Sequence, residues 1–199
     1  MIGASFSIDE LNGVVDALGK TADIVEKLGK NGIESIEIRP VPIGYPADEV
    51  LRIVKLIKDS GLNVTIHADV SGKIEMSLRE VFLPLTKIFD ESLQSNTVIT
   101  VHPIDGDNVA MLKILSDHIK ENNIPAIIAF ENNRLMPDGS NGDCTKIVSQ
   151  AVTYLGRENV GVCFDTGHYY NYVMHNHPEN PEMLPDEDFT KRIIHTHIQ

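Results

Sequence analysis

Apolar runs recur along the chain at a spacing of roughly 28–34 residues, beginning near Ile2, Glu34, Asn63, Thr97, Pro125, Asn159 and Ile193. Each run is short enough for a strand, and the spacing leaves room for a loop and a crossover helix before the next. The intervening segments carry the three- and four-residue steps of amphipathic helices. Leu11, Val14, Val15, Leu18, Ile24, Val25 and Leu28 predict a first helix, stopped by Gly29 or Gly32. Val50, Leu51, Ile53, Val54, Leu56 and Ile57 predict a second, ending near Gly61. Leu78, Val81, Phe82, Leu85, Ile88 and Phe89 predict a third, kinked or restarted at Pro84. Met111, Leu112, Ile114, Leu115 and Ile119 form a fourth stripe, and Ile147, Val148, Ala151, Val152 and Leu155 a fifth that Gly156 ends. The segment from Tyr169 to Asp188 shows no such stripe and is expected to be a long polar loop.

Strand–helix alternation of this kind predicts a parallel sheet with helices outside. An open doubly wound sheet and a barrel both satisfy it. No Gly-x-Gly-x-x-Gly follows the first strand, where Ser5-Phe6-Ser7-Ile8-Asp9 stands instead, so the dinucleotide-binding fingerprint is missing. Polar residues close nearly every strand, whereas an open sheet gathers its ligands at one switch point. The expectation is an α/β, (β/α)8 barrel in one domain over residues 1–199, lacking the strand 8 region. A complete barrel takes about 250 residues. Seven strands leave two unpaired edges, which predicts association with another copy of the chain.

Composition narrows the class. With 42% hydrophobic and 23% charged residues the chain reads as an ordinary globular protein. A formal charge of −12 and a pI near 5.0 argue against a nucleic-acid binder that relies on a basic footprint. Cys144 and Cys163, the two cysteines, suit a reducing compartment, and Cys163 within its apolar run is expected to be buried. Neither a leader-like N-terminus nor a membrane-length apolar stretch is visible, so a cytoplasmic location is expected.

The strand ends carry the chemistry. Runs finish in His67, His102, Glu131, Asp165 and the pair His195 and His197, residue types that ligate divalent cations. A carboxylate closing a buried strand, as Glu131 does, is costly unless it is paired or metal-bound. A structural ion pair would also satisfy it. Asp165, in Asp165-Thr166-Gly167-His168, either points with His168 to one spot or caps the following segment. His195 and His197 share one strand face by the period of two, although a core histidine bonded to a carbonyl is an equal account of His195. Glu37 and Arg39 alternate with isoleucines on the second strand and either bind a polar substrate or pair with each other. His175 and His177 read as solvated loop residues, and His118 as a surface residue on a helix. Tyr169, Tyr170 and Tyr172 either wall a pocket or simply pack.

Together, Phe130-Glu131-Asn132, Asp165-Thr166-Gly167-His168 and His195-Thr196-His197 resemble the xylose isomerase-like TIM-barrel superfamily. That group includes sugar phosphate isomerases and epimerases, ketose 3-epimerases and endonuclease IV of AP endonuclease family 2. The resemblance implies one divalent cation (Mn2+, Co2+, Mg2+ or Zn2+) held by Glu131, Asp165 and His197, with a fourth ligand on a strand 8 that this chain lacks. It implies catalytic roles for Glu131 and His168 and a substrate site lined by His67 and His102, to which the strand-end pattern adds Glu37, Arg39 and His195 as expected substrate-binding residues. In endonuclease IV the positions matching His67 and His102 are metal ligands.

The leading expectation is therefore isomerisation or epimerisation of a sugar or sugar phosphate. Such chemistry removes a proton α to a carbonyl, with a cation stabilising the enediolate and a carboxylate such as Glu131 taking the proton. An endonuclease IV-like zinc phosphodiesterase is the rival, and an inactive truncated barrel the third reading. A small-molecule sugar is the expected partner, with nucleic acid and membrane disfavoured.

Overall fold

Seven strands lie at the apolar runs: β1 (Gly3–Ser7), β2 (Ser35–Val41), β3 (Asn63–Ala68), β4 (Thr97–Val101), β5 (Ala126–Glu131), β6 (Val160–Asp165) and β7 (Ile193–His197). The computed structural model describes residues 3–7, 21–41, 47–68 and 97–198. Helices α1 (Thr21–Lys30), α2 (Ala47–Asp59), α3 (Asn108–Glu121), α4 (Cys144–Leu155), α5 (Thr166–Asn176) and α6 (Glu187–Thr190) alternate with them. The strands are ordered β1-β2-β3-β4-β5-β6-β7, and the pairs β1·β2, β2·β3, β5·β6 and β6·β7 run parallel. This is an α/β fold of the (β/α)8-barrel class, with seven strands among the described residues. The helix expected around Pro84 and the first part of the helix expected from Leu11 lie outside the described residues. Among the described residues, no helix is long and apolar enough to cross a membrane.

The chain divides into two compact units, Met1–Ile99 with Ile124–Ala126, and Thr100–Asn123 with Ile127–Gln199. In the first unit, Ile36, Ile38, Val64 and Ile66 of β2 and β3 are buried together with Ile53, Val54 and Ile57 of α2. Each such side chain contributes about 1.5–3 kcal/mol by leaving water. Gly61, at φ +80°, turns the chain out of α2 toward β3 through a conformation that a side chain would strain.

In the second unit, Met111, Leu112 and Leu115 of α3, Val148 and Val152 of α4, and Phe130, Val162 and Phe189 are buried. Every described helix of this unit opens on an aspartate whose side chain accepts a backbone N–H of the first turn. Asp107 receives Ala110, Asp143 receives Thr145, Asp165 receives His168 and Asp186 receives Phe189. Gly156, at φ +58°, closes α4.

Helix α5 replaces the first part of the expected loop between Tyr169 and Asp188, and short α6 begins at its end. The segment Thr-Gly-His-Tyr-Tyr-Asn-Tyr-Val-Met-His-Asn buries only Tyr169 and Val173, too narrow a stripe to show as periodicity. Its cap, Asp165, starts the helix nonetheless. His175 therefore sits in the last turn of α5, and His177 is its C-cap, donating its N–H to Val173 O at 2.7 Å. Both thus belong to a helix and not to a loop, while His175 is exposed, as the sequence suggested, and His177 half-buried.

Between β6 and β7 the register slips. Val162 pairs with Ile193, but Cys163 pairs with His195 and Asp165 with His197, so Ile194 is the extra residue of a bulge. Unshifted pairing would have set Cys163 against Ile194 and Asp165 against Thr196, with both histidines on the opposite face.

Candidate metal centre

Glu131, the last residue of β5, is 0% exposed. An isolated carboxylate there would be strongly destabilising, and the surrounding side chains answer that cost. His197 Nδ1 lies 2.5 Å from Oε1, and His102 Nε2 lies 2.8 Å from Oε2. Each oxygen thus faces a different imidazole, one from the end of β7 and one from just past β4. Both contacts fall within the second unit.

His168 completes the first group of donors. Its ligand atom and those of His102 and Glu131 all lie within 4.8 Å of one another. The His168 ring is held at Nδ1, 3.0 Å from the backbone oxygen of Asn132. That contact places the proton on Nδ1 and leaves Nε2 with its lone pair. The His102 and His168 rings stand 6.2 Å apart, tilted by 54°. A second group joins Cys163, His195 and His197, again with donor atoms within 4.8 Å. The rings of His195 and His197 are 5.0 Å apart and nearly perpendicular.

Asp165 is fully buried. Its Oδ1 accepts the His168 N–H at 2.7 Å, and its Oδ2 lies 3.7 Å from His168 Nδ1. The carboxylate thus does both things the sequence left open, capping α5 and standing beside His168. Asp165 faces its register partner His197 across the β6–β7 pair, but it belongs to neither of the donor groups just described. Of the remaining predicted residues, Glu37 is buried in the first unit and accepts the Ser5 hydroxyl at 2.9 Å. His67 is a half-buried residue of β3 in that same unit. The Arg39 side chain lies outside the described residues.

Asn132 escaped the sequence reading. It is 1% exposed, and its amide donates to Asp165 O at 3.0 Å and accepts the Asp165 N–H at 2.9 Å. The signal was available in Glu131-Asn132-Asn133, because a polar amide directly after a buried strand must find partners. The following residue, Asn133, donates its N–H to Cys144 Sγ at 3.3 Å. Burial pushes the Cys144 thiol up to about 11, so this sulfur is a neutral acceptor. Burial also raises the Tyr169 phenol to about 12. Tyr169 packs edge-on against Phe164, with ring centres 5.8 Å apart, and 5.8 Å from Tyr172; these two tyrosines pack as the sequence allowed, whereas Tyr170 is exposed. A groove of about 690 Å³ lies elsewhere, lined by residues of α3 and α4 with Asp186 and Asp188. No member of the donor groups lines it.

The donor set fits a divalent cation. One buried carboxylate meets three imidazoles, Glu131 with His102, His168 and His197, a mixture common to Zn2+, Mn2+ and Co2+ sites.

The chain is similar to a number of solved structures, three of them as follows. The crystal structure of AsfvAP:AG shares 15% identity at TM-score 0.51, covering 100% of this chain and 73% of that one. PhdJ bound to a substrate intermediate shares 10% at TM-score 0.46, covering 89% and 63%. The 3,6-anhydro-D-galactonate cycloisomerase from Zobellia galactanivorans shares 12% at TM-score 0.45, covering 100% and 52%. The likeness to the first of these is one of fold. The chain spans between about half and three quarters of the length of these proteins. No family model matches the chain, and no curated protein does.

Proposed function

We propose that this protein is a divalent-metal-dependent isomerase or epimerase acting on a sugar or sugar phosphate, by moving a proton on a carbon α to a carbonyl. The observation that carries this reading is the fully buried Glu131 with an imidazole on each oxygen. In this reading Glu131, Asp165 and His197 hold the cation. When bound, the cation supplies positive charge beside the substrate carbonyl and hydroxyl oxygens. Glu131 is the carboxylate placed to take the proton, and burial keeps water from competing for it. His102 holds the second oxygen of Glu131. His168, with Nδ1 anchored on Asn132, turns Nε2 toward a substrate hydroxyl. The acidic balance of −12 favours a small sugar over a polyanionic strand.

A second reading has its own support. His102 at 2.8 Å from Glu131 would let that carboxylate bridge two cations, as a zinc phosphodiesterase of the endonuclease IV kind requires. Elemental analysis of the purified protein, alongside turnover on a panel of aldoses, ketoses and their phosphates, separates the two. Isomerase turnover supported by one or at most two divalent ions per chain is expected. Close to three zinc ions per chain, with cleavage of abasic DNA, would overturn the isomerase reading.

A further inference from the structure

We propose that Cys163, His195 and His197 form a binding site for a thiophilic divalent cation, Zn2+ or Co2+, on the β6–β7 face. The bulge at Ile194 creates this site. It sets Cys163 abreast of His195 and Asp165 abreast of His197, and the period of two then places all four side chains on one face. The sulfur and the two imidazole donors already lie within 4.8 Å of one another. A tetrahedral site with Zn–S near 2.3 Å and Zn–N near 2.0–2.1 Å requires donor separations of roughly 3.3–3.8 Å. Shifts of about 1 Å or less, available to side chains within their rotamer wells, close that gap.

Chemistry selects the occupant. A thiolate with two imidazoles is a soft-to-borderline donor set that takes Zn2+ or Co2+ and discriminates against Mg2+ and Mn2+. Binding breaks the Cys163 S–H bond, forms a metal–sulfur bond and releases the proton to solvent. Cys163 is fully buried, so the bond would form shielded from bulk water. Three protein donors leave the fourth position open. The site shares His197 with the centre around Glu131 but does not depend on that centre's reaction.

Cobalt provides the readout. Chelator-treated full-length protein titrated with Co2+ should develop the near-ultraviolet thiolate-to-cobalt charge-transfer band. Zn2+ should bleach the band, and a large excess of Mg2+ should not. Cys144→Ser should keep the band, Cys163→Ser should lose it, and Glu131→Gln should keep it. The last result separates this site from the proposed isomerase centre, because loss of turnover with an intact band leaves the inference standing. If Cys163→Ser does not fold, His195→Asn supplies the test, with Co2+ affinity expected to fall at least about 10-fold. Absence of the band in the parent protein, its persistence in Cys163→Ser, or unchanged affinity in His195→Asn would overturn the site.

Discussion

The side-chain amide of Asn132 holds the backbone of Asp165 at both of its polar groups, accepting its N–H at 2.9 Å and donating to its carbonyl at 3.0 Å. The two residues are 33 positions apart, and the clamp joins the ends of β5 and β6. Asn132 also supplies the backbone oxygen that fixes the His168 ring. One small residue thereby aligns the carboxylate of Asp165 and the imidazole of His168.

Asn132→Ala should destabilise the protein and loosen its metal centre. Each buried backbone group left without a partner costs about 1–3 kcal/mol. Losing a positioning contact of this kind typically lowers metal affinity roughly 10–100-fold. Urea unfolding combined with a cation titration checks both effects. Stability within about 0.5 kcal/mol of the parent, the range of an ordinary surface change, would show that the clamp contributes little.

Glu131→Gln keeps the shape of the side chain and removes its charge. Turnover should fall roughly 10²–10⁴-fold, the range expected for loss of a general base. The circular dichroism spectrum should be unchanged. Full activity in this variant removes Glu131 from the mechanism.

Acid stability should carry the mark of Asp117. Hydrogen bonds from Arg157 and Lys113 hold its carboxyl down at about 2, below the ordinary 3.8. A depressed folded pKa contributes stability that is fully present above the unfolded value and is lost as pH falls through the folded one. The loss should therefore run between about pH 4 and pH 2, the interval set by those two values. Arg157→Gln should flatten the thermal midpoint against pH in that interval and lower it above pH 4. Parallel curves for parent and variant would contradict this assignment.

Cys144 should be inert while the protein is folded. Its thiol, raised to about 11 by burial, holds almost no thiolate at pH 8, and the thiolate is the form that alkylates. Iodoacetamide at pH 8 should label it only after denaturation, as peptide mass analysis will show. Rapid native labelling at Cys144 would mean that α4 opens readily.

Much of this architecture was visible in the chain itself. The strand starts near Asn63, Thr97 and Ile193 coincide with those of β3, β4 and β7, because buried parallel strands are short apolar runs. Gly156 ended the fifth helix as predicted. The convergence of Glu131 with His102 and His197 followed from strand ends closing on one face. Helix α5 did not show itself, since its start depends on one side chain, Asp165, and its apolar stripe is two residues wide. The double role of Asp165 was legible only as alternatives. The need of Asn132 for partners was legible in its place directly after a buried strand, but Asp165 as the partner was not, because the clamp is a contact between strands 33 positions apart.

The slipped pairing at Ile194 makes the site a matter of parity. Counting from Val162 and Ile193, Cys163 and Asp165 fall on odd steps and His195 and His197 on even ones. Removing Ile194 itself would bring His195 directly after Ile193, so Cys163 and Asp165 would keep the same partners in an unbroken ladder. Adding one residue there would have to be absorbed as a wider bulge, or it would turn both imidazoles away from Cys163 and Asp165. This short stretch is thus free to shrink by one residue and costly to lengthen.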